Sequence, residues 1–274
     1  MIYNWELRAD YVRRVHSCMA REKRKLTGWR KWVSRIITIA SVTVFIYAAY
    51  NLSDVLIDYY KNRQLMNDMQ AMFYAADDEP TGDTVRPGFL PLLEQNEDVV
   101  GWITIDGTQI DYPIVQAEDN FHYLTRNFYH EESRAGSIYL DYRNDVHLNS
   151  ENNVVVYGHR MRDGSMFENL TKYLDEDFFN ANRTIEFDTL YDSYEGEVFA
   201  VYQTLTTFNY IQTHFDDANE FNGLLNNIYD TTLYTNDVEV TEDDKIITLS
   251  TCDYKLDENE GRLVLQAKLT KKQS

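Results

Sequence analysis

Two cysteines and four prolines are all that this chain of 274 residues carries, and no internal repeat or low-complexity tract runs through it. The acidic residues are scattered and none falls in EF-hand spacing, so the sequence offers no metal cluster and calls for no cofactor. Basic residues are scarce after the first 35. That opening segment holds ten Lys/Arg against three acids, a balance of +7, so with a total of −19 the remainder carries −26. An acidic body of this kind argues against nucleic acid or anionic lipid as its partner.

So steep an asymmetry asks what separates the two parts, and the sequence supplies a membrane span. Residues 36–53 contain no charge (IITIASVTVFIYAAYNLS). Eighteen residues approach the length needed to cross a hydrocarbon core of ~30 Å. The positive-inside rule puts residues 1–35 in the cytoplasm, and an expected single-pass anchor in the cell membrane then leaves the rest outside. No A-x-A-like cleavage site follows Ala48-Ala49, which favours an uncleaved anchor over a signal peptide. Cys18 and Cys252 then lie on opposite sides of the membrane and cannot bond to each other. Cys252 remains as an unpaired extracytoplasmic thiol.

Apolar residues at Leu52, Val55, Leu56, Tyr59, Leu65, Met66, Met69 and Met72 follow helical spacing, so one or two helices are expected at the membrane exit, within a juxtamembrane segment and linker at 54–87. From residue 88 to 274 the pattern becomes short β-branched runs: DVVGWITI, IDYPIVQ, GSIYLDY, NVVVYGH, TIEFDT, GEVFAVYQTL, KIITLSTC and RLVLQAKL. Eight such runs indicate one all-β domain, a sheet or barrel with its own core. Helical insertions are expected at 165–177 and 216–229, the second in a long connection of the sort that carries function.

Within TLSTCDY, Cys252 ends a strand-like run. It reads either as a small apolar filler or as a displayed nucleophile, and a nucleophilic thiol needs a base beside it. His159 is the histidine in a matching position, directly after Val154-Val155-Val156-Tyr157-Gly158. Arg262 opens the run after the DYKLDENEG loop. If the two runs pair antiparallel, Arg262 lies beside the thiol, where a fixed guanidinium can hold an oxyanion. Its plainer reading is a strand-end charge paired with Asp253 or Glu260, and Asp253 itself reads as a solvated loop acid.

Taken in order, TLSTC, the YGH of Tyr157-Gly158-His159, and Arg262 opening RLVLQAKL resemble the active-site pattern of sortases. GWITIDGTQIDYPIVQ, DNFHYL, FYHEESRAGSIYLDYRN and MRDGSMF are similar to class B in particular. The resemblance implies a closed eight-stranded β-barrel and a cysteine transpeptidase. On that implication Cys252 attacks the Thr–Asn or Thr–Gly bond of an NPxTN/NPxTG-like sorting signal on a secreted protein. His159 moves protons, Arg262 steadies the oxyanion or the substrate, and a peptidoglycan cross-bridge amine resolves the thioacyl enzyme. It also implies a signal-peptide groove lined by Asn120, Leu124, Thr206, Tyr210, Ile211 and Ser250, of which Leu124 and Ile211 read equally well as core. Two alternatives stay open from the residues themselves: a Cys–His peptidase that hydrolyses its substrate, and a membrane-tethered β domain that only binds.

Overall fold

The computed structural model describes residues 28–75, 84–145, 147–148 and 152–272. Most of the basic segment, with Cys18, and residues 77–83 of the linker at 77–87 lie outside the described residues. The chain divides into two units, Met1–Val55 and Leu56–Ser274.

The first unit contributes the start of one continuous helix, α1 (Trp29–Phe73). By length and composition α1 can cross a membrane, and none of its apolar window is buried. Phe45, Ile46 and Tyr47 stand exposed around it.

The second unit is a closed barrel of eight strands: β1 (Val99–Thr104), β2 (Asp111–Val115), β3 (Ile138–Leu140), β4 (Asn153–Tyr157), β5 (Thr184–Thr189), β6 (Ser193–Leu205), β7 (Lys245–Cys252) and β8 (Gly261–Lys271). Their spatial order is β1-β2-β3-β4-β7-β8-β6-β5, and β1 closes on β5. Each of the eight apolar runs is a strand, and β6 starts three residues before the run that foretold it. There the Ser193 hydroxyl bonds Asp188 and accepts from Arg86, which extends the pairing with β5.

Closure removes free sheet edges. It also buries the inner face of each strand, and because the outer face of β7 is covered as well, β7 is a continuous buried run from Ile246 to Thr251. Ile247 and Leu249 face the main core, while Ile246 on the other face joins a second cluster with Phe199, Tyr202 and Val264.

Helices cover that outer face. In α4 (Ala218–Thr231) Phe221, Leu224, Leu225 and Ile228 fall at i, i+3, i+4 and i+7 and pack on the second cluster. Asp217 caps it by accepting from the main-chain N–H groups of Asn219 and Glu220. The expected 165–177 insertion is a 3₁₀ segment, Phe167–Leu174, followed by α3 (Glu176–Ala181); a one-turn α2 (Leu90–Leu93) precedes β1.

Within the second unit, residues of the expected juxtamembrane segment pack on the barrel. Asn62, Met66, Met69 and Phe73 form the buried stripe of α1. Phe73 stacks on Trp102 with centroids 4.3 Å apart and planes 1° from parallel, a contact worth ~0.5–1.5 kcal/mol beyond burial.

Candidate active site

Two strand pairings build the site. β7 and β8 run antiparallel with Cys252 directly opposite Arg262, so the thiol and the guanidinium are cross-strand neighbours at one barrel end. β4 runs parallel to β7, its register ends with Tyr157 opposite Ser250, and the Gly158 N–H donates to the Ser250 carbonyl at 3.2 Å. His159 follows at once. Gly158 is required by this packing, because a Cβ there would collide with Ile138 and Phe167.

Cys252 is half-buried and free. Burial first, then its interactions with Cys252, raise the Tyr254 pKa. Burial, then proximity to Cys252, push the Tyr139 pKa up as well.

His159 Nε2 lies 2.7 Å from the Leu124 carbonyl. A carbonyl only accepts, so Nε2 carries the proton and Nδ1 is the nitrogen left for chemistry. Arg262 Nη1 donates to the carbonyls of Asn259 (3.0 Å) and Gly261 (2.8 Å), which fix the side chain from its own loop. Among the described residues no carboxylate ion-pairs with it. Glu260, the partner of the plainer reading, bonds Thr206 instead.

Asp253 departs from the sequence reading: it is 1% exposed and not a solvated loop acid. Its carboxylate accepts from Gln203 and from the Lys255 N–H and pairs with Arg160. Its main-chain N–H donates to the Gly261 carbonyl, which folds the loop back over the acid.

One cleft of about 400 Å³ is lined by Cys252, His159 and Arg262 together with Asn120, Leu124, Thr206, Tyr210, Ile211 and Ser250. The structure thus brings all nine sequence candidates to one place. Leu124 and Ile211 are half-buried at its wall, whereas Tyr210 is 4% exposed and hydrogen-bonds the Ser250 hydroxyl at 2.8 Å. Asn120 donates to Asp141 Oδ2 at 3.0 Å. Burial favours a neutral Asp141, but bonds from Arg143, Tyr157 and Asn120 outweigh it and hold the carboxyl below its usual range.

Sequence reasoning passed over Phe121, Tyr139, Tyr157, Phe208, Asn209 and Thr251, which also line the cleft. Tyr157 and Thr251 were visible as neighbours of the two strand-end residues. Tyr139 comes in because β3 sets it opposite Tyr157, a register that no local pattern discloses. No group of His, Cys, Asp or Glu among the described residues could hold a metal ion.

A thiol, an imidazole and an unpaired guanidinium around one cleft suit acyl transfer through cysteine, and comparison with known proteins names the family. A model of the sortase domain matches residues 103–270.

The chain belongs to the sortase family.

It is 40% identical over 245 residues to sortase B of Listeria monocytogenes, covering 89% of this chain and 99% of that protein. Against sortase B of Staphylococcus aureus it is 35% identical over 236 residues, covering 86% and 96% respectively. Among solved structures, sortase B of Bacillus anthracis in complex with AAEK1 matches with a TM-score of 0.73 at 48% identity, covering 79% of this chain and all of that one. A Staphylococcus aureus sortase B–substrate complex matches with a TM-score of 0.71 at 34% identity, covering 81% of this chain and 100% of that one. The eight-stranded barrel is the sortase B barrel, and the protein is a sortase-type cysteine transpeptidase.

Proposed function

We propose that Cys252 is the nucleophile of a membrane-anchored transpeptidase that joins secreted proteins to a peptidoglycan amine. The Cys252 thiol passes its proton to His159 as Sγ attacks the threonine carbonyl of an NPxTN- or NPxTG-like sorting signal. The Thr–Asn or Thr–Gly C–N bond breaks, the leaving amine takes a proton from His159, and a thioester remains. An incoming cross-bridge amine gives a proton back to His159, attacks the thioester and forms an amide. The thiolate departs, so no oxidant or reductant enters.

Arg262 stabilises the oxyanion in both halves, its planar fork already fixed by the carbonyls of Asn259 and Gly261. Asn120, Leu124, Thr206, Tyr210, Ile211 and Ser250 seat the signal. Residues 1–35 lie in the cytoplasm, residues 36–53 cross the membrane, and the catalytic domain works outside.

The observation that carries this reading is the register. β7–β8 pairing puts Arg262 against Cys252, and the β4–β7 ladder delivers His159 to the same cleft. The test is steady-state transfer by the full chain in detergent. Cys252→Ala should abolish both cleavage and transfer while the fold remains. His159→Ala should lower turnover ~10²–10⁴-fold and Arg262→Ala ~10²–10³-fold. Arg262→Lys keeps the charge without the fork, and a large loss there assigns the effect to geometry. Transfer that survives Cys252→Ala would sink the reading.

A further inference from the structure

The β4–β7 ladder ends at Tyr157 opposite Ser250, and counted on in residue number the same offset matches His159 with Cys252 and Arg160 with Asp253. The last of these pairs is closed by side chains, with Arg160 Nη1 3.5 Å from Asp253 Oδ1. His159 and Cys252 therefore each occupy a short span between two cross-links. The Gly158 N–H to Ser250 carbonyl bond comes before them and the Arg160–Asp253 pair after.

Both ends of that pair are anchored. Arg160 Nε donates to Glu168 Oε2 at 2.6 Å, and Gln203 donates to the second oxygen of Asp253. Neither Arg160 nor Asp253 lines the cleft with the thiol, so neither is a substrate contact there. Nor is Asp253 the partner that orients the imidazole. His159 Nε2 is engaged by the Leu124 carbonyl, and both Asp253 oxygens are occupied by Arg160, Gln203 and the Lys255 N–H. A buried ion pair adds little net stability, since desolvation offsets attraction. What this one supplies is a fixed distance between two strand ends.

We propose that Arg160 and Asp253 are positioning residues for transpeptidation. Their pair keeps the His159 imidazole and the Cys252 thiol at working separation beyond the point where the parallel ladder ends. This rests on the reading of Cys252 as nucleophile and His159 as proton carrier.

The experiment compares full-length Asp253→Asn, Arg160→Gln and the double variant in detergent, with Cys252→Ala as reference. The probes are an Asn-Pro-Xaa-Thr-Asn peptide and triglycine or diaminopimelate as amine. Four quantities are read: kcat, KM, the pH dependence of Cys252 alkylation by iodoacetamide, and thermal unfolding. Misplacement of reacting groups predicts a fall of up to about 10²-fold in kcat with KM little changed. The alkylation profile should shift, and the double variant should lose no more than the worse single one, because the two side chains act as a unit.

Asp253→Asn preserves volume and the contact with Gln203, so it decides the matter even if Arg160→Gln does not fold. A folded Asp253→Asn protein with wild-type kcat and alkylation profile overturns the proposal. So does loss in Asp253→Asn with full activity in a folded Arg160→Gln, which would make Asp253 act on its own. Transfer by Cys252→Ala would instead overturn the underlying reading, and the positioning role with it.

Discussion

Tyr210 lines the cleft with its ring packed against Tyr202 and Phe208 and its hydroxyl on Ser250. Reading it as groove or as core poses a choice the structure does not make, because the side chain is both. Tyr210→Ala should therefore cost ~3–5 kcal/mol in denaturant unfolding, the range for truncating a buried aromatic. Tyr210→Phe keeps the packing, removes one hydrogen bond and should cost about 1 kcal/mol, so a rise in peptide KM in that variant reports on the cleft alone. Unfolding of Tyr210→Ala at the wild-type denaturant midpoint would refute the packing.

Asp141 is the other residue at which cleft and fold meet, since it holds Asn120 and Tyr157. Its carboxyl pKa is lowered in the native state, below the ~3.9 of an unfolded chain. The carboxylate therefore stabilises the fold above about pH 4, and that contribution is lost as pH falls through the lower native value. Asp141→Asn should destabilise by ~1–3 kcal/mol at neutral pH, and its gap to the wild type should narrow in acid. A gap that stays constant between neutral pH and pH 3 contradicts the assignment.

Among the elements, the strands were the legible part. Runs such as Val154-Val155-Val156 and Lys245-Ile246-Ile247 are too β-branched and too evenly apolar to be anything but strands buried on both faces. The neighbour relation of Cys252 and Arg262 was legible too, because an antiparallel hairpin fixes it locally. The parallel approach of β4 to β7 was not, since it depends on two strands separated by two others in the chain. The burial of Asp253 was hidden for a similar reason. In sequence it opens an acidic loop, but Gln203, which covers it, comes from β6, and Arg160 from the turn after β4.

Gly261 shows how tightly that loop closes. A Cβ there would collide with the Asp253 carbonyl and lie 2.7 Å from that of Asp257, so glycine is what lets the chain return to β8 beside the thiol. Gly136, with φ of 57°, does the same for the loop that carries Leu124. A Cβ there would come within 2.7 Å of the carbonyl that holds His159.

At the scale of the whole molecule, the charge of the chain and α1 tell one story. The basic segment, the uncharged 36–53 stretch and the acidic remainder together predict a topology. Protease added to cells stripped of their wall should digest the domain after residue 54 and spare the first 35 residues. Recovery of an intact domain from the medium, cut near Ala49, would show that the segment is removed as a signal peptide. The enzyme would then need another attachment.

The reaction itself has one direct witness, the covalent intermediate. Incubated with an Asn-Pro-Xaa-Thr-Asn peptide and no amine, the wild-type protein should gain the mass of the acyl fragment ending in threonine. Peptide mapping should place that mass on Cys252, and added triglycine or diaminopimelate should discharge it into an amide product. An adduct on any other residue, or product formation with Cys252 replaced by alanine, would contradict the account and return Cys252 to a small side chain that merely fills the end of a strand.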